Sequence, residues 1–210
     1  MLIAADITTG ARILLNELVE AFWYSADFDE WNRQAALDIS AKTYCYEVKE
    51  SVTLISGQQE YAIVTDHLKI LGAKYADEPK GLYRFTPWME GLQEVSIPGK
   101  PKYFYDFARM FGVVPIPSAA EDGGVITLFC ASTTNTIANI PNAYRTCAVL
   151  FVTGMGLLKE RQYAKAGSMF QIYAEMINLA RTDNVSVKVS PPPLDSYVLK
   201  ATAGAPTNAS

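Results

Sequence analysis

The strongest constraint on this fold is a long stretch, residues 162–181, that carries apolar side chains at helical spacing. One stripe steps by three or four residues through Tyr163, Ala166, Phe170, Tyr173, Ile177 and Ala180, and a second runs beside it through Met169, Ile172, Met176 and Leu179. The two stripes leave only a narrow polar strip, and a helix with so wide an apolar surface needs partners on two sides. We expect one stripe to pack against the preceding helix and the other to meet a β-domain or a neighbouring subunit.

Three further helices are predicted, two before the middle of the chain and one just before the long helix. Residues 8–24 show one apolar face, with Thr8 or Thr9 as the N-cap. A second helix is predicted from Phe28 to Tyr46, with Asp27 and Glu30 as its capping pair. Helical spacing returns from Pro141 to Leu158. We therefore predict N-terminal helices in residues 1–47 and a C-terminal helix pair in 141–182 that packs against them.

The middle of the chain, residues 48–140, is predicted to be a small antiparallel β-domain. Two β-prone runs flank a turn at Gly57, and Val125–Ala131 is apolar on both faces, as a central strand is. In between, Tyr103, Tyr105 and Phe107 alternate along one strand, and Phe111 and Val113 along the next, which Pro115 and Pro117 end. The fold class that follows is α+β.

The last part of the chain, residues 183–210, has a different composition. β-Branched residues alternate, three prolines stand at 191–193, and S-Y-V-L-K follows. The segment is too hydrophobic for a simple linker, so we predict an extended C-terminal arm that docks on a partner. The candidate interface then consists of Met169, Ile172, Met176 and Leu179 in the helix, together with Val185, Val187, Val189, Leu194, Tyr197 and Val198 in the arm.

Composition narrows the classes of function. The net charge is −4 and the 18 basic residues are scattered, which argues against a surface that binds nucleic acid. The three cysteines lie at Cys45, Cys130 and Cys147 among apolar neighbours, which predicts buried, reduced thiols. The sequence shows no apolar run long enough to cross a membrane and no signal peptide at its start.

Catalytic and metal-binding motifs are not found in the sequence. No phosphate-binding glycine loop or nucleophile elbow is present. A triad would have to use the single histidine, His67, which we interpret as a surface or turn residue. The acids Asp27, Asp29 and Glu30 suit a helix N-terminus without a metal. We predict no enzyme, no cofactor and no metal site.

Four local patterns occur in order along the chain: G-Q-Q-E-Y-A-I-V-T-D at 57–66, G-K-P-K-Y at 99–103, F-G-V-V-P-I-P at 111–117, and I-P at 140–141 before the C-terminal helix pair. In this order, they are similar to patterns in the adaptor, or head-to-tail connector, proteins of tailed bacteriophages, including the tail tubular protein A type. The resemblance covers roughly residues 8–182 and treats the first of these motifs as a hairpin. Between the second and third motifs, the hairpin at Phe107–Arg109 lacks the expected glycine, and the resemblance does not place the hydrophobic tail after Arg181.

This resemblance implies a structural virion protein that is assembled in the host cytoplasm and resides in the virion neck. The family's members form a homo-oligomeric, dodecameric ring that joins the portal protein to the tail or nozzle protein. Genomic DNA would pass through the channel without specific binding, which suits a mild negative charge.

Two alternatives are kept beside the adaptor. One is a carbohydrate-binding β-sandwich of a tail component, which an exposed row of Trp88, Tyr103 and Tyr105 would favour over simple aromatic core packing. The other is a hydrolase that uses His67, which needs a nucleophile and an acid within hydrogen-bond reach.

Overall fold

A computed structural model describes residues 1–17, 22–64, 66–75, 80–85, 97–107 and 109–188, with side chains up to residue 180. Its helices are α1 (Ala4–Leu14), α2 (Ser25–Thr43), α3 (Arg145–Lys159) and α4 (Tyr163–Lys188). Its strands are β1 (Glu47–Thr53), β2 (Glu60–Ala62), β3 (Lys69–Tyr75), β4 (Tyr83–Arg84), β5 (Tyr103–Phe107), β6 (Met110–Val114) and β7 (Val125–Ala131). The α+β class is confirmed, with the helices at both ends of the chain and the strands between them.

The first helix begins and ends earlier than predicted. It spans Ala4–Leu14 instead of residues 8–24, and Thr9 lies inside it, where its hydroxyl donates to the Ala5 carbonyl. The chain turns at Asn16, whose φ of 57° is left-handed. Beyond the turn, a Glu17 carboxylate oxygen accepts from the backbone N–H of Trp23 at 3.3 Å. The apolar spacing predicts a longer helix because it contains no information about this hydrogen bond between a side chain and the backbone.

The start of α2 also differs in one detail. Asp27 does not occupy the N-cap position; it lies in the first turn, and its carboxylate accepts from the Tyr24 N–H at 3.1 Å. The same carboxylate lies 2.6 Å from Lys159 Nζ at the end of α3. The helix ends at Thr43, because Tyr44 adopts a left-handed φ of 56°. The predicted capping pair of Asp27 and Glu30 is therefore wrong, and Asp27 ties α2 to α3.

The helices from both ends of the chain share one apolar core. The α3 helix lies between its neighbours and packs against α1, α2 and α4. The largest fully buried side chains of this core are Phe28, Ile7, Ile39, Ile140 and Val152. In these contacts, the C-terminal helix pair packs against the N-terminal helices.

The strands form two sheets with a second core between them. The three-stranded sheet has the order β1-β7-β3 and is antiparallel, so β7 is central as predicted. The four-stranded sheet has the order β2-β6-β5-β4, in which β4 pairs parallel to β5 and the other pairs are antiparallel. Buried residues from both sheets, among them Phe104, Phe111, Ile70 and Leu128, fill the space between them.

One strand pairing was predicted wrongly. The runs on either side of Gly57 are β1 and β2, and they belong to different sheets instead of forming a hairpin. Gly57 has a φ of 77° and marks the crossing from one sheet to the other. Tyr61 holds this crossing, because its hydroxyl donates to the Gln58 carbonyl at 2.8 Å. The sequence located the turn but not the partner of each strand, since pairing depends on contacts distant in sequence.

The last helix is longer than predicted and begins at the expected place. It runs from Tyr163 to Lys188, so residues 183–188 are helical where an extended arm was expected. This part of the arm prediction is wrong, because the valines at alternate positions also continue a helix that the preceding residues have already nucleated. The remainder of the predicted arm, 189–210, lies outside the described residues.

Candidate assembly surfaces

The first stripe of α4 packs within the subunit from Ala166 onward, whereas Tyr163 at its start is exposed. Ala166, Tyr173 and Ile177 are buried. The Tyr173 hydroxyl donates to Asp38 on α2, and its ring makes an edge contact with Phe151 at 5.4 Å between centroids. Burial and the Asp38 carboxylate raise the pKa of Tyr173, so the hydroxyl stays a donor. This stripe fixes α4 against α2 and α3.

Close packing between α3 and α4 depends on one glycine. The Phe170 ring lies over Gly154, where an added Cβ would come within 2.8 Å of the ring's Cζ. Phe170 also makes an edge contact with Phe151 at 5.8 Å between centroids. The absence of a side chain at 154 therefore lets the two helices approach closely.

The second stripe of α4 divides into two kinds of position. Met169 and Met176 are half-buried against the helical core. Ile172 is 45% exposed and Leu179 is 69% exposed, and because they lie seven residues apart they share one face of the helix. The subunit itself thus covers the methionines, while Ile172 and Leu179 form an apolar outer face of α4.

The arm residues cannot be placed in the same way. Val185 and Val187 belong to the last turns of α4, in the part described by its backbone only. Val189, Leu194, Tyr197 and Val198 lie outside the described residues. Their part in an interface stays a prediction.

A second apolar region at one end of the helical part was not predicted. There α1 ends, α2 begins, and α3 turns into α4; Leu15 reaches Gly156, and Asp27 pairs with Lys159. The exposed apolar residues of this end, which we call the bundle-end patch, are Ile13, Leu14, Phe22, Tyr24, Leu158 and Tyr163. Periodicity could not reveal it, because each of these residues lies at the end of an element and only the packing brings them to one end.

The aromatic residues of β5 lie on both faces of the strand. Phe104 points into the core between the sheets, and Tyr103 and Tyr105 point to the other face, where both are half-buried. Phe107 on that face is 72% exposed. Trp88 lies outside the described residues. The exposed row of Trp88, Tyr103 and Tyr105 that would favour a carbohydrate-binding module is not seen at the two tyrosines.

The prediction that His67 is a surface residue is wrong. Its side chain is 4% exposed, and its Nε2 lies 3.8 Å from a carboxylate oxygen of Asp106 on β5. The same carboxylate accepts from the Ile70 N–H at 3.3 Å, so Asp106 links the four-stranded sheet to β3. The beginning of β3 lies against β5, which is why this histidine is covered. The arrangement is that of a bridge between two sheets.

The thiols and acids fit structural roles. The three cysteines are thiols and form no disulfide; Cys130 and Cys147 are buried as predicted, and Cys45 is half-buried. Burial, with the charges of Glu50 and Asp106, raises the pKa of Cys130 to about 11. Within the described ranges, no group of three or more His, Cys, Asp or Glu side chains is placed to hold a metal ion. No helix in the described part of the chain has the length and apolar character to cross a membrane.

Comparison with known proteins points to one family. The family model described as SU10 adaptor protein matches residues 3–196, which is nearly the whole chain. No curated protein matches the sequence. The matched range includes both helix pairs and both sheets, so it agrees with the architecture above. The chain therefore belongs to the SU10 adaptor protein family, whose members are structural adaptor proteins of the bacteriophage virion neck.

Proposed function

We propose that this chain assembles into a homo-oligomeric ring, a dodecamer, that joins the portal to the tail and surrounds the passage for genomic DNA. The observation that carries the proposal is the outer face of α4, where Ile172 and Leu179 stay 45% and 69% exposed in the isolated subunit. Apolar side chains that lie together on a rigid helix are typical of a protein contact. Membership of the family indicates the position in the virion neck, and the exposed face of α4 offers a surface for contact between subunits.

Ring formation requires two different surfaces on each copy. In a cyclic ring of more than two subunits, one patch of each copy meets another patch of the next. Within the described helices and the turns between them, the outer face of α4 and the bundle-end patch are both exposed and apolar. We place the outer face of α4 in the contact on one side of the subunit. The bundle-end patch would then contact the next copy, the portal or the tail protein.

The charge of the chain fits a passage for DNA. A net charge of −4 gives little attraction for phosphates, so DNA could slide through without being retained. Purified protein should therefore not retard duplex DNA in a gel at about 0.15 M salt. Strong, salt-sensitive retardation would contradict this part of the proposal.

Native mass spectrometry of the full chain, alone and mixed with the portal protein of the same phage, tests the ring. We expect closed oligomers, and we expect Ile172→Asp or Leu179→Asp to shift them to monomers, because a charge would be buried in the contact. Ala174→Asp is the matched control: it adds the same charge at an exposed position on another side of α4. Circular dichroism should show all three variants folded.

The outcome that would refute the ring is a protein that stays monomeric, with or without portal. If Ile172→Asp and Leu179→Asp left the oligomer intact while Ala174→Asp dissociated it, α4 would still be at the interface but through another face. Deletion of 189–210 tests the arm separately. We expect weaker assembly or tail attachment from a subunit that remains folded.

A further inference from the structure

The outer face of the four-stranded sheet carries a row of aromatic rings. Because β4 and β5 are parallel and in register, Tyr83 lies beside Tyr103, with ring centroids 6.2 Å apart. Phe85 lies beside Tyr105 in the same way, at 6.3 Å. Phe107 continues the row along β5. Five rings from two adjacent strands thus share one side of the sheet, opposite the side that faces the β-core. We call this set the aromatic face.

Tyr105 lies in the middle of the aromatic face, and residues of the neighbouring strands fix the position of its ring. The Tyr105 ring lies across Gly112 on β6, where an added Cβ would stand 2.0 Å from its Cζ. The Tyr105 hydroxyl donates to a Glu60 carboxylate oxygen on β2 at 2.9 Å. Burial, together with that carboxylate, raises the pKa of Tyr105 to about 12. The Tyr105 ring therefore has a fixed position. Tyr83 and Phe107, which are 55% and 72% exposed, lie at the edges of the aromatic face.

A surface of this kind suits a proline-rich segment. Pro-rich chains favour the polyproline II helix, which loses little entropy on binding and docks on rows of aromatic side chains. The chain itself contains such a segment, S-P-P-P-L at 190–194, within the tail that follows the last described residue of α4. The chain itself thus contains a candidate segment for binding to the aromatic face.

The described part of α4 runs towards the side of the molecule where the sheets lie. Near its start, α4 follows Lys159, which pairs with Asp27 at the beginning of α2. Ten residues into the helix, Tyr173 bonds to Asp38 near the end of α2, which leads directly into β1. The helix therefore runs alongside α2 in the same direction, towards the β-domain.

The length of α4 carries the chain past the end of α2. From Tyr173 to Lys188 the helix advances roughly 22 Å, whereas from Asp38 to the end of α2 at Thr43 the advance is only about 8 Å. The proline triplet begins at residue 191, no more than about 11 Å of extended chain beyond Lys188. The described end of α4, which the proline triplet follows in the sequence, therefore lies towards the sheets.

We propose that the aromatic face binds residues 189–198 of this chain, with the three prolines on the rings. This deepens the proposed function, since it names the receptor for the arm of an assembling adaptor. The prolines supply the contact with the rings, and Leu194 follows as a further apolar residue.

The test uses the full-length protein with Pro191, Pro192 and Pro193 all changed to alanine, so that its own segment no longer occupies the face. The probe is a fluorescently labelled peptide of residues 186–200, followed by anisotropy. We expect saturable binding to the triple-alanine protein. Binding to the wild-type protein should be at least about fivefold weaker, because its own tethered segment competes at a high effective concentration.

Two further variants of the triple-alanine protein assign the site. Phe107→Ala and Tyr83→Ala each should weaken peptide binding at least about fivefold, because each removes an exposed ring from the proposed contact. Both residues are exposed, so the fold should remain, which circular dichroism checks. Tyr163→Ala is the matched control, because Tyr163 is an exposed aromatic residue on α4, outside the aromatic face. It should leave the affinity unchanged.

Three results would overturn the proposal: no saturable binding to the triple-alanine protein, equal binding of a peptide in which the prolines are alanines, or affinity unaffected by Phe107→Ala and Tyr83→Ala. If a glucose hexasaccharide bound at Phe107 and Tyr83 while the peptide did not, the face would be a carbohydrate site instead. The native mass of the oligomer is a separate readout. It can support the ring when the peptide does not bind, and peptide binding can be observed when no ring forms.

Discussion

Tyr173 is the contact by which α4 is fixed to α2, and its removal gives a measurable loss of stability. Tyr173→Phe keeps the buried ring and removes only the hydroxyl that donates to Asp38. Hydrogen bonds to charged groups contribute about 1.5–3 kcal/mol. Asp38 retains Lys42 at 2.8 Å and its side chain is 29% exposed, so the cost should lie at the low end. We expect the free energy of unfolding to fall by about 1.5 kcal/mol.

Tyr173→Ala should have a larger effect, because it also removes a ring that is only 3% exposed and touches Phe151. Truncation of a buried aromatic residue costs about 3–5 kcal/mol, so we expect a loss of about 4 kcal/mol. Tyr163→Phe is the matched control on the same helix, since Tyr163 is 65% exposed. That variant should stay within about 0.5 kcal/mol of the wild type.

Equilibrium unfolding in urea, followed by circular dichroism at a fixed protein concentration, measures all three variants. The slope against denaturant must be unchanged for the midpoints to report stability. Equal losses for Tyr173→Phe and Tyr173→Ala would mean that the ring is not packed as described. A loss below about 0.5 kcal/mol for Tyr173→Phe would mean that the bond to Asp38 contributes little.

Three other outcomes follow from individual contacts. Phe170→Ala, which removes the ring over Gly154, should lower the free energy of unfolding by about 3 kcal/mol in the same urea assay. The hydrogen bond from Arg33 lowers the pKa of Glu30 from 4.5 to about 2, so this pair stabilises the fold fully above pH 4.5 and loses its effect as the pH falls towards 2. Glu30→Gln should therefore flatten the acid limb of a stability–pH curve. In the folded protein at pH 8, a thiol reagent should leave Cys130 unmodified and react first with the half-buried Cys45, since burial raises the pKa of Cys130 to about 11.

Sequence patterns were most reliable where one element decides its own structure. The α3 and α4 helices begin close to the predicted residues, and β7 is central, because spacing along a single element fixes which face is apolar. The first helix was misjudged at Glu17, whose carboxylate accepts backbone N–H groups from residues five and six positions later. Apolar spacing contains no information about a bond of that kind.

Of the helical residues predicted for the candidate interface, only some are exposed in the structure. The sequence identified the second stripe of α4, and the structure then separated Met169 and Met176, which the subunit covers, from Ile172 and Leu179, which it does not. That separation depends on which neighbouring helices reach α4. The periodicity of α4 alone carries no information on that point.

By itself, the sequence determined the class of the fold, the order of its elements and the number of apolar faces on its last helix. These follow from side-chain spacing within one segment. The tertiary structure alone decided the assignment of β1 and β2 to different sheets, the burial of His67 against Asp106, the meeting of six exposed apolar residues at one end of the helical part and the formation of the aromatic face from two parallel strands. Each of these depends on contacts between residues far apart in the chain, and such contacts are fixed only when the whole chain packs.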